Sequence, residues 1–288
     1  MTGVETEAAE TAVKAGELGF DPGETILHHV LDSPEIEIPL THLTIPLPQF
    51  EPIFGVDLSI TKHVVMMWLV SLILLVLFSI AARRTKDEVP RGIRNLFEVF
   101  ILFIRDEVAR RAIPGQADRF LPFLLTTFFF ILSCNLLGLI PGMATATGNI
   151  SVTAALAIIS FVVIQFSGIR EFGPVTHLKN LIPGGLPVWL VPLMFVLEVL
   201  SNLIRPFALC IRLFANMMAG HVVILAFISL IFILASLFSP VVGYAASPVT
   251  VFFALFVHFL ELLVAFLQAF IFTMLSAQFI GMSVHPSH

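Results

Sequence analysis

The sequence predicts an all-α polytopic membrane protein, with about five membrane-crossing helices and one amphipathic helix on the membrane surface. Of the 288 residues, 58% are hydrophobic, only 12% are charged and 29 are Phe. A water-soluble domain of this size could not bury so much apolar surface. The apolar residues also form runs long enough to cross a hydrocarbon core of about 30 Å. No such run precedes Val64, so the chain does not open with a segment that looks like a signal peptide.

The N-terminal arm, residues 1–61, differs in composition from the rest. Residues 1–60 carry eleven acidic side chains, one Lys and several prolines. This composition predicts an irregular extracytoplasmic segment with one short helix near Glu24–Leu31. The membrane domain then covers residues 62–282, and residues 283–288 form a short tail.

The first predicted span covers residues 63–82, and its end sets the topology. Five basic residues follow it within a short stretch: Arg83, Arg84, Lys86, Arg91 and Arg94. Basic loops stay in the cytoplasm, so we expect an extracytoplasmic N-terminus and, after five crossings, a cytoplasmic C-terminus. Apolar and charged residues then alternate at helical spacing over about 92–111, which predicts an amphipathic helix on the membrane surface.

Four further spans are predicted at 120–140, 150–169, 186–238 and 248–282. The third of these is expected to break near Pro206, because proline cannot donate a helical hydrogen bond. Uninterrupted helical patterns longer than thirty residues reach about 50 Å, so the last two helices must tilt steeply. We expect them to be joined by a turn at Ser239–Ser247.

Several functions are excluded or disfavoured by the residues that are missing. No Lys follows a Gly, so there is no Walker-type phosphate-binding loop. The charge pattern does not indicate a nucleic-acid partner. Cys134 and Cys210 lie in apolar runs and are expected to pack as small hydrophobic residues, without a disulfide.

Arg212 lies several residues inside an apolar run. A charge at the bilayer centre costs from about 2.5 to more than 10 kcal/mol, so it indicates function by default. Its guanidinium keeps its proton at physiological pH and therefore acts as a fixed positive charge. Alternatively, Arg212 forms a buried ion pair or extends to a headgroup. Glu198 and Arg205 precede it at intervals of seven and share its side of the helix, which suits either a water-filled path or a plain salt bridge.

A second polar stripe lies on the last helix, where His258, Glu261 and Gln268 recur at helical spacing. If the last two helices fold back on each other, His221 approaches Glu261 and Arg212 approaches Gln268. A His and a Glu in a wet cleft can relay protons, whereas a Gln amide can only orient its neighbours. The alternatives are a satisfied buried pair for His221 and Glu261, and an ordinary interhelical hydrogen bond for Gln268.

Three motifs resemble those of subunit a of F-type ATP synthases, over roughly residues 62–282. They are Arg212-Leu-Phe-Ala-Asn-Met-Met-Ala-Gly-His221, Leu267-Gln-Ala-Phe-Ile-Phe272 and Asn135-Leu-Leu-Gly-Leu-Ile-Pro141. The resemblance implies that Arg212 is an essential charge facing the rotor, supported by Asn216 and Gln268. It also implies an outer half-channel at His221 and Glu261 and a cytoplasmic one at Glu198 and Arg205. His258 and Asn135 are further candidates.

One departure from many bacterial members of that family is informative. They have Glu at the position of His221 and His at that of Glu261, whereas this chain has the exchanged pair, as mitochondrial members do. Because both positions change together, direct contact between them is the simplest explanation.

The resemblance implies a proton-translocating stator subunit in a bacterial inner membrane. It would not be an enzyme on its own, and it would need neither a cofactor nor a metal. The implied partners are the rotor c-ring, peripheral-stalk subunit b, the catalytic ATPase sector and the lipid bilayer. A secondary ion transporter or channel is the alternative, although no internal repeat is evident. A purely structural anchor would leave the cost of Arg212 and Glu261 unexplained.

Overall fold

The computed structural model describes residues 35–38, 43–49, 59–81, 92–140, 143, 145–180, 187 and 189–285. Eight α-helices are described there: α1 Lys62–Ala81, α2 Ile93–Phe103, α3 Arg110–Ala112, α4 Ala117–Gly138, α5 Ile150–Phe172, α6 Pro174–Asn180, α7 Val191–Leu237 and α8 Pro240–Val284. Five of them, α1, α4, α5, α7 and α8, are long and apolar enough to cross a membrane. The membrane part of the chain is therefore all-α and polytopic, as the sequence predicts.

The N-terminal arm contains a structural element that the sequence reasoning missed. Strands β1 (Glu35–Ile38) and β2 (Leu43–Pro46) pair antiparallel, with Ile36 opposite Ile45. The two strands are four residues each, too short for a clear alternation signal among the prolines of the arm. The short helix expected near Glu24–Leu31 lies outside the described residues.

The surface segment predicted at about 92–111 is not one uniform α-helix. Helix α2 passes into a π-helical turn, Ile104–Ala109, and the segment ends with α3. The π turn packs on α4 and α8, and Ile104 and Ala109 are fully buried in it. Its polar side carries Asp106, which accepts hydrogen bonds from Arg105 and Arg110 at 3.0 and 2.8 Å. The bond from Arg105 lowers the pKa of the Asp106 carboxyl below its usual value.

The predicted break near Pro206 is wrong. Helix α7 runs without interruption from Val191 to Leu237, with Pro206 inside it. Proline removes one hydrogen bond, to the carbonyl of Asn202, but a complete break would leave several backbone groups unpaired. In lipid each unpaired group costs several kcal/mol, so a continuous helix with one missing bond is the less costly solution.

The predicted turn at Ser239–Ser247 is also wrong, because α8 begins at Pro240 and the connection consists of Phe238 and Ser239. Proline fits the first helical turn, where its missing N–H is not needed. Gly243 then lies against α7, where a Cβ would come within 2.6 Å of the Ala235 side chain. The absence of a side chain at Gly243 allows the two long helices to approach closely just after the turn.

Helix α8 is the centre of the fold and packs on α7, α4 and α5. Its buried side includes Phe272, Ala277 and Ile280, and the core cluster continues through α4 with Leu124 and Phe128. By contrast, α1 and α7 expose several large apolar side chains, among them Trp68, Leu75 and Phe207. Such faces suit contact with lipid or with partner helices.

Candidate functional site

An outer polar pair joins α7 to α8. Nδ1 of His221 lies 2.8 Å from Oε1 of Glu261, and the Glu261 side chain is only 3% exposed. Nε2 of His221 faces the Gly138 carbonyl at 2.9 Å and the Thr145 hydroxyl at 3.0 Å. Gly220 makes this approach possible, because a Cβ there would come within 2.5 Å of Oε1 of Glu261. The contact predicted between His221 and Glu261 is therefore present.

The surroundings of the pair restrict where its protons can be. A carbonyl oxygen can only accept, so Nε2 of His221 carries a hydrogen that it donates to Gly138. One further proton then lies between Nδ1 and Oε1, bonded to either atom. His221 and Glu261 are consequently either both neutral or oppositely charged, and the net charge of the pair is zero in both states. This arrangement can pass one proton between two residues.

Asn135 is placed just behind this pair. It is fully buried, donates to the Ala265 carbonyl of α8 at 3.3 Å and accepts from the Thr147 hydroxyl at 2.6 Å. Both halves of its amide are thus satisfied. The structure places Asn135 as a link between α4 and α8 that supports the wall behind the outer pair.

The middle of the seam between α7 and α8 is an uncharged pair. Nδ2 of Asn216 donates to Oε1 of Gln268 at 2.9 Å, and Gln268 is 3% exposed. The sequence reasoning placed Gln268 beside Arg212, but the structure pairs it with Asn216, one helical turn further along α7.

Arg212 lies on the exposed face of α7. Within the part of the chain that the structure describes, its guanidinium makes no hydrogen bond or ion pair. Three exposed positions on the same face are small, Ala208, Ala215 and Ala219, although Ile211 next to Arg212 is also exposed. Small residues allow a second helix to approach the backbone closely. The face around Arg212 is therefore a shallow surface that carries one uncompensated positive charge.

An inner polar cluster lies on the other side of Arg212 along α7. Arg205 donates to Asn202 at 3.0 Å and reaches Glu198 at 3.4 Å, and its guanidinium carbon lies 5.0 Å from the centre of the Phe279 ring. The Glu198 to Arg205 salt bridge anticipated as one alternative is thus present. A cavity of about 10 Å³, room for about one water molecule, lies beside the cluster. Arg205, Asn202, Ser160 and Gln165 are among its lining residues.

Sequence reasoning missed several polar groups of this seam. Thr145 and Gly138 lie outside the two long helices, and nothing in their spacing connects them to His221. Asn202 is three residues before Arg205, so helical spacing could have identified it. His258, by contrast, is half-buried and makes no hydrogen bond with the described residues.

Comparison with known proteins identifies the family. A sequence model of the ATP synthase A chain family matches residues 64–281, which is most of the chain. The chain belongs to the ATP synthase A chain family. The match begins two residues into α1 and ends three residues before the end of α8, so it includes all five membrane-crossing helices.

Relatives in the ATP synthase A chain family align over most of the chain. It is 48% identical to ATP synthase subunit a of Chloroherpeton thalassium, over 91% of this chain and 77% of that protein. It is 51% identical to subunit a of Myxococcus xanthus, over 81% and 75% of the two chains. It is 45% identical to ATP synthase subunit a of Pelodictyon phaeoclathratiforme, over 100% of this chain and 84% of that protein. The chain is therefore a multi-pass membrane component of an ATP synthase.

The described residues contain no group of three or more His, Cys, Asp or Glu side chains that could hold a metal ion.

Proposed function

We propose that this chain carries protons along two offset half-channels that meet a rotor carboxylate at Arg212. Membership in the ATP synthase A chain family gives the coarse function, proton translocation by the membrane stator. The roles of individual residues are our assignment. In this assignment the chain is non-catalytic, and ATP chemistry takes place in another sector of the complex.

The observation that carries the proposal is the uncompensated charge of Arg212. An Arg exposed on a membrane-crossing helix, with no partner among the described residues, is costly unless another group approaches it. A carboxylate on a rotor helix is the partner that fits, because it supplies the opposite charge and the small neighbours of Arg212 leave room for its helix. Arg212 would draw such a carboxylate into its charged form and release its proton.

The seam supplies one path on each side of this charge. His221 and Glu261 serve the outer path, since they can exchange one proton without changing their net charge. Arg205 and Glu198 serve the inner path, next to the cavity that has room for water. Asn216 and Gln268 lie between them and cannot titrate, so they separate the two paths and position the surroundings of Arg212.

The proposed cycle follows from this order. A proton enters past His221 and Glu261 and neutralises a rotor carboxylate, which then turns through lipid because it is no longer charged. After almost a full turn the site reaches Arg212 from the other side and gives its proton to the inner path. Each charge that crosses gains about 2.3 kcal/mol per 100 mV, so several must cross for each ATP made.

The same proposal includes the orientation of the chain in the membrane and the subunits that contact it. The basic stretch between α1 and α2 supports a cytoplasmic position for that side in a bacterial inner membrane, with the N-terminal arm on the outer side. The c-ring would cover the face around Arg212, and peripheral-stalk subunit b would cover other exposed faces. Membership in the family sets aside the alternative of a stand-alone transporter or channel.

The test is Arg212→Ala in the assembled complex, measured as ATP synthesis in membrane vesicles energised by a proton gradient. We expect synthesis to be lost while the complex still assembles. Arg110→Ala is the matched control, because it deletes the same group from an exposed ion pair on the surface segment. Undiminished coupled synthesis in Arg212→Ala would contradict the proposal.

A further inference from the structure

A polar contact between the short helix α6 and the membrane-crossing helix α5 adjoins the inner cavity. Helix α6 folds back on α5 through Gly173, whose φ of 79° is readily adopted only by glycine. This turn brings Nε2 of His177 to 3.0 Å from Oε1 of Gln165. Gln165 in turn lines the cavity together with Asn202 and Arg205. His177 is therefore one hydrogen bond away from the inner cluster.

The packing of His177 is close and specific. A Cβ on Gly168 would come within 2.4 Å of Nδ1 of His177 and 2.3 Å of the Ser283 hydroxyl, so the imidazole and the end of α8 both rest on that glycine. Ser283 donates to the Ile164 carbonyl at 3.0 Å and is thereby held in place. The ring is only half-buried. The ring is thus fixed in position and partly exposed, with Nδ1 on the side of Gly168 and Ser283.

We propose that His177 is a proton-exchanging residue at the mouth of the inner half-channel, where it transfers protons between the cavity water and bulk water. This inference rests on the proposed function, because it needs a proton path at Arg205. Nε2 donates to the Gln165 oxygen, which leaves the lone pair of Nδ1 to accept a proton. The proton forms one N–H bond at Nδ1 and leaves again to water, so the step needs no other reactant.

The charges around His177 leave it close to neutral at physiological pH. Burial lowers its pKa below the usual value of 6.5. Charged or titratable groups on α6 and on the elements around it include Lys179, Arg170, Glu171, Arg205, Glu198 and His285. Among the described side chains of this set, none hydrogen-bonds to the ring: Glu171 is bonded to Gln116, Glu198 to Arg205 and His285 to the Pro114 carbonyl. The base form of His177 is therefore available above about pH 6.5.

The effect of changing His177 should depend on pH, because only its neutral form accepts protons. Above its lowered pKa the imidazole accepts protons, and as the pH falls through that value it becomes occupied and stops accepting. A change at His177 should therefore matter at neutral pH and lose its effect in acid.

The experiment compares His177→Gln with the unmodified complex in liposomes. ATP synthesis is driven by a fixed potential while the pH on the catalytic-sector side is varied, and rates are divided by uncoupled ATP hydrolysis. Near pH 7.5 we expect the normalised rate of ATP synthesis to fall roughly tenfold in His177→Gln. This is a smaller loss than for an obligatory acid–base group, because bulk water can also exchange protons with the inner path. The two rates should converge in acid, and added imidazole buffer should restore the variant near pH 7.5.

Two further variants separate the possible outcomes. His285→Gln, which alters an exposed His at the end of α8, should leave the pH profile unchanged. Equal rates for His177→Gln and the unmodified complex at every pH would overturn the inference, as would a constant loss that imidazole does not relieve. Arg212→Ala is measured in parallel. If Arg212→Ala also had no effect, the proposed function itself would fail.

Discussion

Removal of the His221 side chain should strongly reduce the rate of proton transport, by an amount that the structure allows us to estimate. In His221→Ala the buried Glu261 loses the 2.8 Å partner of Oε1, and its Oε2 has no partner among the described residues to begin with. Hydrogen bonds to a charged group are worth about 1.5–3 kcal/mol, which corresponds to roughly 10- to 100-fold in rate if the pair lies on the proton path. Glu261→Ala should cost a similar amount, because it removes the same bond.

The exchanged variant, His221→Glu with Glu261→His, sharpens this prediction. It restores an acid next to an imidazole and should therefore recover most of the loss. However, the Gly138 carbonyl at the end of α4 loses the N–H that His221 donates to it. A hydrogen bond of this kind contributes about 0.5–1.5 kcal/mol, so the exchanged variant should remain roughly 2- to 10-fold below the unmodified protein.

The assay is ATP-driven proton uptake in inverted vesicles, normalised to the amount of assembled complex. Thr145→Val is the matched control, because it removes a 3.0 Å contact to His221 and leaves the pair with Glu261 intact. An exchanged variant that is no better than the worse single variant would refute the reasoning, since it would mean that the two side chains do not act as a pair.

Three other predictions concern stability and pH. Gly281→Ala should lower the melting temperature of the complex, because its Cβ would meet a backbone oxygen at the end of the surface segment, whereas Gly148→Ala, with its nearest atom at 3.7 Å, should not. Asn135→Ala should lower the free energy of unfolding by about 1–3 kcal/mol in a denaturant titration, since buried partners on two elements lose their hydrogen bonds. In the folded protein the pKa of the Asp106 carboxyl lies below its usual value of 3.8. The pairing of Asp106 with Arg105 therefore stabilises the fold above pH 3.8, and this stabilisation is lost as the pH falls through the lowered pKa. In Asp106→Asn we expect the free energy of unfolding to depend less on pH in this acid range. Thermal unfolding measured from neutral to acid pH checks this point.

The sequence was sufficient to predict the contact between His221 and Glu261. Both are ionisable residues in apolar helices, which makes each of them costly without a partner. Helical spacing and a single fold-back are enough to bring such residues together, because two long antiparallel helices have few possible registers.

The finer register could not be obtained in the same way. Gln268 bonds to Asn216, one helical turn from Arg212, because Arg212 lies on the exposed face of α7. Pro206, where the sequence predicts a break, lies inside a helix, and so does Pro248, where the last span was expected to begin. Proline rules from water-soluble proteins overestimate breaks here, since lipid strongly favours a continuous helix.

Partners from distant segments were the least predictable part of the site. Gly138 and Thr145 reach His221 from α4 and the connection that follows it, about 80 residues earlier in the chain. Helical spacing describes one helix at a time and cannot indicate which loop closes over another helix. The same limit hid His177, whose link to Gln165 depends on the turn at Gly173.

The short distance within the outer pair has a consequence for voltage sensitivity. The two heavy atoms are 2.8 Å apart, less than a tenth of a hydrocarbon core of about 30 Å. A charge that crosses the whole core gains about 2.3 kcal/mol per 100 mV, so transfer from one side chain to the other gains at most about 0.2 kcal/mol. Proton transfer between His221 and Glu261 should therefore respond to the pH on the outer side and remain almost independent of the electrical potential.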